Sequence, residues 1–237
     1  MQLEDYYHSE GNRIGFTRRQ ASDFAKGVAG DFNPIHNADS KRFCVPGDLL
    51  FSVALQRYGL SEKMRVVFSG MVGDGVTLEF PDTGEPSVSV CDSHGKTCLT
   101  LQRAGRTTTD PGTVCGIIHC YVQFSGQAFP HILVPLMADN GLMINPERPL
   151  IIYESMSIEL DSLEFDAPRL ELSDAHLDIH GKRGDVKLRF DVKSGEHVIG
   201  QGAKSMVLSG LRPFEPEAID TLVNDYMTRK NTFMAGT

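Results

Sequence analysis

Asp31, Asn33 and His36 put a carboxylate, an amide and an imidazole within six consecutive positions, in the stretch AGDFNPIHNADS. Carboxylates and imidazoles are the side chains that most often move protons in enzymes, and a positioned acid–base pair contributes about 10²–10⁴-fold in rate. Imidazole suits the task because it changes charge near neutral pH. Pro34 lies between the two groups and drives Asn33 toward an extended backbone, so a regular helix across the segment is not expected. A loop of this kind can turn Asp31 and His36 toward one cavity. Downstream, Gly47 precedes a helical pattern. Its backbone N–H, at the tip of a helix, is suited to meet developing negative charge on a bound oxygen.

The elements around these residues are expected to follow one plan, used twice. In the first half, Phe16–Lys26 reads as a short helix with Thr17 as its N-cap. After the polar loop, Asp48–Tyr58 has helical spacing with apolar residues on most sides, so this helix should be buried, and Gly59 should stop it. Strands are expected at Arg65–Val72, Val76–Phe80, Ser87–Cys91 and Thr97–Gln102, with Asp92–Gly95 as a hairpin turn. The run Gly105–Thr113, rich in turn residues, reads as a joint. In the second half, Val114–Phe124 reads as a strand and Phe129–Ile144 as a helix interrupted by Pro135. Strands are expected at Leu150–Leu160, Arg169–Ile179, Val186–Val192 and Val198–Leu208. Pro216 and Glu217 open a final amphipathic helix bearing Ile219, Leu222, Val223, Tyr226 and Met227. A buried helix wrapped by a curved antiparallel sheet, twice over, satisfies such a pattern, because helix and sheet hide each other's apolar faces.

Residues 29–36, Ala-Gly-Asp-Phe-Asn-Pro-Ile-His, resemble the hydratase motif S/A-G-D-x-N-P-x-H of MaoC-like dehydratases and (R)-specific enoyl-CoA hydratases. The preceding FTRRQASDFAKGV resembles that family's entry helix. Phe43-Cys44-Val45-Pro46-Gly47 followed by Leu49 resembles its approach to the central helix, and Val67-Phe68 through Val72-Gly73-Asp74 its F-x-x-P-V-x-x-G-D strand. The match covers roughly the first 80 residues in order, and a motif of this length is far more specific than a lone glycine pattern. The resemblance implies an α+β double hotdog, with residues 1–108 as the motif-bearing hotdog and 109–237 as a second one. It implies reversible addition of water to a trans-2-enoyl thioester. Asp31 and His36 are then the catalytic pair, Asn33 holds the loop, and the Gly47 N–H faces the thioester oxygen. Gly30, Phe32, Pro46 and Leu49 are expected at the substrate, and Lys41 and Arg42 at the phosphates of coenzyme A. No cofactor is expected beyond the acyl-CoA or acyl-carrier-protein thioester substrate. Relatives carry His-Gly-Met or His-Gly-Leu where this chain has Pro46-Gly47-Asp48. An acidic residue suits a first helical turn but would oppose a developing enolate, so Asp48 is read as a helix-start residue facing away from the cavity.

The remaining features narrow the choices. With 237 residues and a net charge of -8, the chain would repel nucleic acid on average. No apolar run approaches a membrane span, and the first residues, MQLEDYYHSEGNR, lack the basic and apolar parts of a secretory signal, so a cytoplasmic location is expected, without nucleic acid or membrane partners, while the resemblance implies a homodimer because hotdog proteins usually assemble. The five cysteines (Cys44, Cys91, Cys98, Cys115 and Cys120) form no CxxC pair and read as reduced thiols. His94 reads as a surface turn residue, His119 as a strand residue and His131 as a helix-end residue. His176 and His180 read as neighbours on one sheet face, with no third ligand for a metal. Two other functions stay open: a non-catalytic acyl-thioester-binding protein, and a thioesterase, for which Asp48 or Gln56 could be offered as the acting residue.

Overall fold

A computed structural model describes residues 2–236. Thr17 caps α1 (Arg18–Asp23) through a capping box with Gln20. Two short strands, β1 (His8–Glu10) and β2 (Arg13–Gly15), precede it. The apolar helix α2 (Gly47–Tyr58) ends at Gly59, whose φ of 77° a side chain would resist. Then come β3 (Leu60–Phe68), β4 (Thr77–Glu79), β5 (Ser87–Asp92) and β6 (Thr97–Thr108). The second half holds α3 (Pro111–Ala128), α4 (Val134–Asp139), β7 (Leu142–Met143), β8 (Ile151–Leu160), β9 (Pro168–His180), β10 (Arg183–Ser194), β11 (His197–Ser209), β12 (Arg212–Pro213) and α5 (Pro216–Ala235).

Among the described residues, ten strands form one antiparallel sheet in the order β1-β2-β4-β5-β6-β3-β8-β11-β10-β9. Outward from the central β3–β8 seam, one side runs β3, β6, β5, β4 and the other β8, β11, β10, β9, the same sequential pattern, with the short β2 and β1 added beyond β4. The seam is a real ladder, from Lys63 opposite Glu159 to Val67 opposite Ser155. The clean alternation of β10 places Val186, Leu188, Phe190 and Val192 in the core, beneath α3. There Tyr121 of α3 stacks on Phe51 of α2, with centroids 4.5 Å apart, and meets Phe190 edge-on. The two long helices thus pack on each other as well as on the sheet. The result is a mixed α+β architecture built on a large antiparallel sheet.

Three expectations are corrected. Residues 114–124 form helix, not strand. Val114, Ile117, Ile118, Tyr121, Val122 and Ser125 are all buried and follow helical spacing, while Asp110 caps the start and Pro111 occupies the first turn. A helix apolar on most sides reads locally like a buried strand, which is how β-branched residues here mislead. Residues 129–144 are not one helix. Pro130 and Pro135 each lack the N–H that a continuous helix needs, and the chain runs as a wide turn (Phe129–Leu133), the short α4, a left-handed Gly141 and β7. The joint at 105–113 is also mostly regular structure, because β6 pairs with β3 as far as Thr108 and only two residues separate it from α3.

Asp48 opens α2 and stays out of the pocket lining, in keeping with its sequence reading, but its burial is not foreseen by that reading. It is 1% exposed and faces Lys204 of β11, which is 0% exposed. Lys204 Nζ donates to Asp48 Oδ1 at 3.2 Å, to the Tyr121 carbonyl at 3.0 Å and to Ser125 Oγ, while the Ser125 hydroxyl donates to Asp48 Oδ1 at 2.7 Å. The ammonium also sits 4.2 Å from the centre of the Tyr121 ring. Burial pushes the Asp48 carboxyl up and the Lys204 amine down, and each charge partly offsets the shift of the other. Removing one partner would leave an uncompensated charge in the core. Lys204→Met should therefore lower unfolding free energy by about 3–5 kcal/mol, whereas the paired change Asp48→Leu with Lys204→Met should recover most of the loss. Urea denaturation of both variants checks this, and equal losses in the two would contradict it.

Candidate functional site

The site begins where α1 ends. The helix widens over Phe24–Ala29 and stops at Gly30, whose φ of 66° reverses the backbone. The Asp31 N–H then bonds to the Ala25 carbonyl at 2.8 Å, which turns the next residues inward. Asp31 Oδ1 accepts the Asn33 N–H at 2.9 Å, and Asn33 Oδ1 accepts the Ile35 N–H at 3.3 Å, capping a single tight turn over Pro34–His36. Asn33 is thus a loop-shaping residue whose amide oxygen is committed to the backbone.

His36 Nδ1 lies 2.7 Å from the Cys44 carbonyl oxygen. A carbonyl only accepts, so Nδ1 carries the hydrogen and Nε2 of the neutral ring is left as an acceptor. Nε2 faces Asp31 Oδ2 at 3.6 Å, with the two side chains 8% and 15% exposed. That spacing is too long for a strong direct hydrogen bond but lets both atoms contact one oxygen placed between them.

Both groups line a pocket of about 1020 Å³, counted with its open mouth. Its walls are chiefly apolar, including Ile35, Leu50, Phe68, Val72, Ile151 and Met206. Gly47, the first residue of α2, forms part of the wall. A Cβ there would stand 3.0 Å from the Tyr153 ring and 3.5 Å from Phe68, so glycine lets backbone border the cavity. Pro46 supplies no side-chain cap to α2, and the first N–H groups of a helix have no intrahelical acceptor. Ser125 and Tyr153 add hydroxyls to the lining; burial among apolar groups pushes the Tyr153 phenol far up, so it stays a neutral group.

The structure brings Asp31, Phe32, Asn33, His36 and Gly47 to the pocket. It does not bring the others. Pro46 and Leu49 are buried but lie outside the lining, Gly30 serves as the turn before Asp31, and Lys41 and Arg42 are exposed outside it. Gln56 bonds Glu4 and Tyr7 on the surface, away from this cavity. Sequence reasoning missed the contribution of α5, which supplies Leu222, Tyr226 and Arg229. The Tyr226 hydroxyl accepts the Phe32 N–H at 3.2 Å and lies within donating distance of the Gly30 and Gly126 carbonyls, at 3.2 and 3.3 Å. A polar-tipped aromatic on the apolar stripe of α5 was the available signal. His119 lies on helix α3 and not on a strand, and among the described residues no group of side chains could hold a metal.

A family model described as "Protein of unknown function (DUF3581)" matches residues 1–217. The chain belongs to the DUF3581 family. No curated protein matches this DUF3581 chain at a significant level. Among solved structures, it is similar to an acyl-CoA thioesterase II, TesB2, from Mycobacterium marinum, at 12% identity and a TM-score of 0.45, covering 91% of this chain and 100% of that one. It is also similar to a MaoC-like dehydratase at 12% identity and a TM-score of 0.42, covering 88% and 99%.

Cys44 is the thiol on the pocket wall, and it is not a nucleophile in waiting. Burial pushes its thiol up to about 11. Thiolate is the reactive form, so at pH 8 about one Cys44 in a thousand is activated. Iodoacetamide treatment of the native protein at that pH, followed by peptide mass analysis, should leave Cys44 unmodified while unfolded protein is labelled there. Rapid native labelling of Cys44 would overturn this.

Proposed function

We propose that this chain is a double hotdog of the MaoC-like type, with hotdogs at 1–108 and 109–237, that adds or removes water at a trans-2-enoyl thioester. The repeated strand order on either side of the β3–β8 seam, with one long helix laid against each half, supports the architecture. The observation that carries the activity is the facing of Asp31 Oδ2 and His36 Nε2, 3.6 Å apart, across a mainly apolar pocket beside the uncapped tip of α2.

In hydration, the water oxygen bonds to C3 of the enoyl thioester. Its proton passes to Nε2 of His36 or to the Asp31 carboxylate, whichever accepts. The C2–C3 π electrons move toward the thioester carbonyl, giving an enolate whose oxygen lies at the Gly47 N–H. The enolate collapses as C2 takes a proton from the acid–base pair, and the 3-hydroxyacyl thioester leaves. The Cys44 carbonyl holds the imidazole in the tautomer that can accept, and the Asn33 N–H holds the carboxylate with Oδ2 toward the ring. A single well-placed donor at the developing oxyanion is worth about 10²–10³ in rate. Asp48, committed to Lys204, adds no charge at that point. The chemistry asks for no cofactor.

Water activated by the same pair could instead attack C1 and hydrolyse the thioester, so the second reading is a thioesterase. Crotonyl-CoA and longer trans-2-enoyl-CoAs distinguish the two. Loss of enoyl absorbance without release of free thiol is expected, and Asp31→Asn and His36→Ala should each lower turnover by at least about 10²-fold while circular dichroism stays native. Thiol release would favour the thioesterase. Binding without turnover would leave an acyl-thioester-binding protein, and turnover indifferent to both substitutions would reject the site.

A further inference from the structure

Helix α5 lies largely beyond the residues matched by the family model, yet it completes the pocket, and it carries cations there. Arg229 lines the pocket and is exposed. Lys230, its neighbour, reaches back so that Nζ stands 3.5 Å from where a Cβ on Gly30 would be, over the turn that leads into Asp31. Among the described residues, neither cation forms an ion pair, although acidic side chains outnumber basic ones by 31 to 23. Some surface arginines are paired, as with Arg18 on Asp74, Arg183 on Glu154 and Arg189 on Asp174, and others such as Arg65 and Arg148 are not, so what sets Arg229 apart is its place in the pocket lining. A cation in the lining of a mainly apolar pocket, with a second one beside it over the Gly30 turn, matches an amphiphile whose reactive end enters and whose anionic end stays outside.

We infer that Arg229 and Lys230 form the anion site of this pocket and take an organic phosphate on the carrier arm of the acyl group. This rests on the thioester reading of the pocket and moves the phosphate contact from Lys41 and Arg42 to α5. Arg229 offers a planar fork that suits a phosphate, and Lys230 adds a point charge beside it. The same phosphate occurs in free coenzyme A and on a carrier protein's phosphopantetheine arm, so the shared group is the object of the claim.

Calorimetric titration of the full chain with coenzyme A, 4′-phosphopantetheine, pantetheine and inorganic phosphate tests it without turnover. The phosphate-bearing arms should bind more tightly than pantetheine, with an advantage that shrinks as salt rises. Arg229→Gln and Lys230→Gln should each weaken coenzyme A binding by about tenfold, the equivalent of 1.4 kcal/mol, while the double change Lys41→Gln with Arg42→Gln leaves it as it was. Equal losses for coenzyme A and 4′-phosphopantetheine would support the arm's own phosphate as the group held there; a loss confined to coenzyme A would assign the nucleotide's phosphate and overturn the claim. Unchanged coenzyme A affinity in both α5 variants, equal binding of pantetheine, or a loss confined to the Lys41/Arg42 variant would overturn it. The same titrations in Asp31→Asn keep the two claims apart: lost turnover with intact binding bears on the chemistry alone.

Discussion

A carboxylate and an ammonium that have both left water must stay together, and the interior of this protein is arranged around that demand. Asp48 sits in the first turn of α2, Ser125 near the end of α3, and Lys204 in the middle of β11. Each hydrogen of the ammonium has an acceptor, and both neighbouring hydroxyl and carbonyl groups are used. Desolvation makes such a pair a poor source of net stability, but a strict condition on geometry. If α2 rotated or slid, Asp48 would lose its partner. The start of α2, and with it the Gly47 backbone at the pocket wall, is therefore located by a charge from the other half of the chain.

The loop that bears Asp31 is held just as closely by its surroundings. On α3, Gly126 lies so near the loop that a Cβ would stand 1.6 Å from the Ala29 carbonyl oxygen. On α5, the Tyr226 hydroxyl engages the backbone at Gly30 and Phe32 while its ring packs edge-on to Phe32. Loop, central helix and terminal helix thus share one point of contact. The first-half motif draws its precision from Gly126 and from Tyr226, the latter 196 positions from Gly30, and isolated residues 1–108 would lack both supports.

Much of this was legible in the sequence. The Asp31–His36 loop announced itself through residue types, Pro34 and the family resemblance, and the strands of the second half through alternation, as in β10. What stayed hidden did so for physical reasons. Helix α3 is apolar on most of its sides, so its period was masked by β-branched residues. Lys204 interrupts an apolar strand, and nothing local indicates that its charge meets Asp48 across 156 positions. The pocket walls given by Tyr153 and Arg229 arise from tertiary placement alone, and Tyr226 was signalled only as a polar-tipped aromatic on the apolar stripe of α5. Lys41 and Arg42 looked suitable because they follow the motif, yet the chain directs them to solvent.

The two long helices also begin differently. At α3, the Asp110 carboxylate accepts the Thr113 N–H at 2.8 Å and its hydroxyl at 2.9 Å. At α2 the corresponding residue is proline and provides nothing. The tip of α3 is satisfied by its own chain, with a side-chain anion already seated where a visiting one would go. The tip of α2 is left open. The half that bears α3 furnishes Ser125 and Tyr153 of the pocket wall, the buried Lys204 and the ridge of backbone at Gly126 against which the Asp31 loop packs.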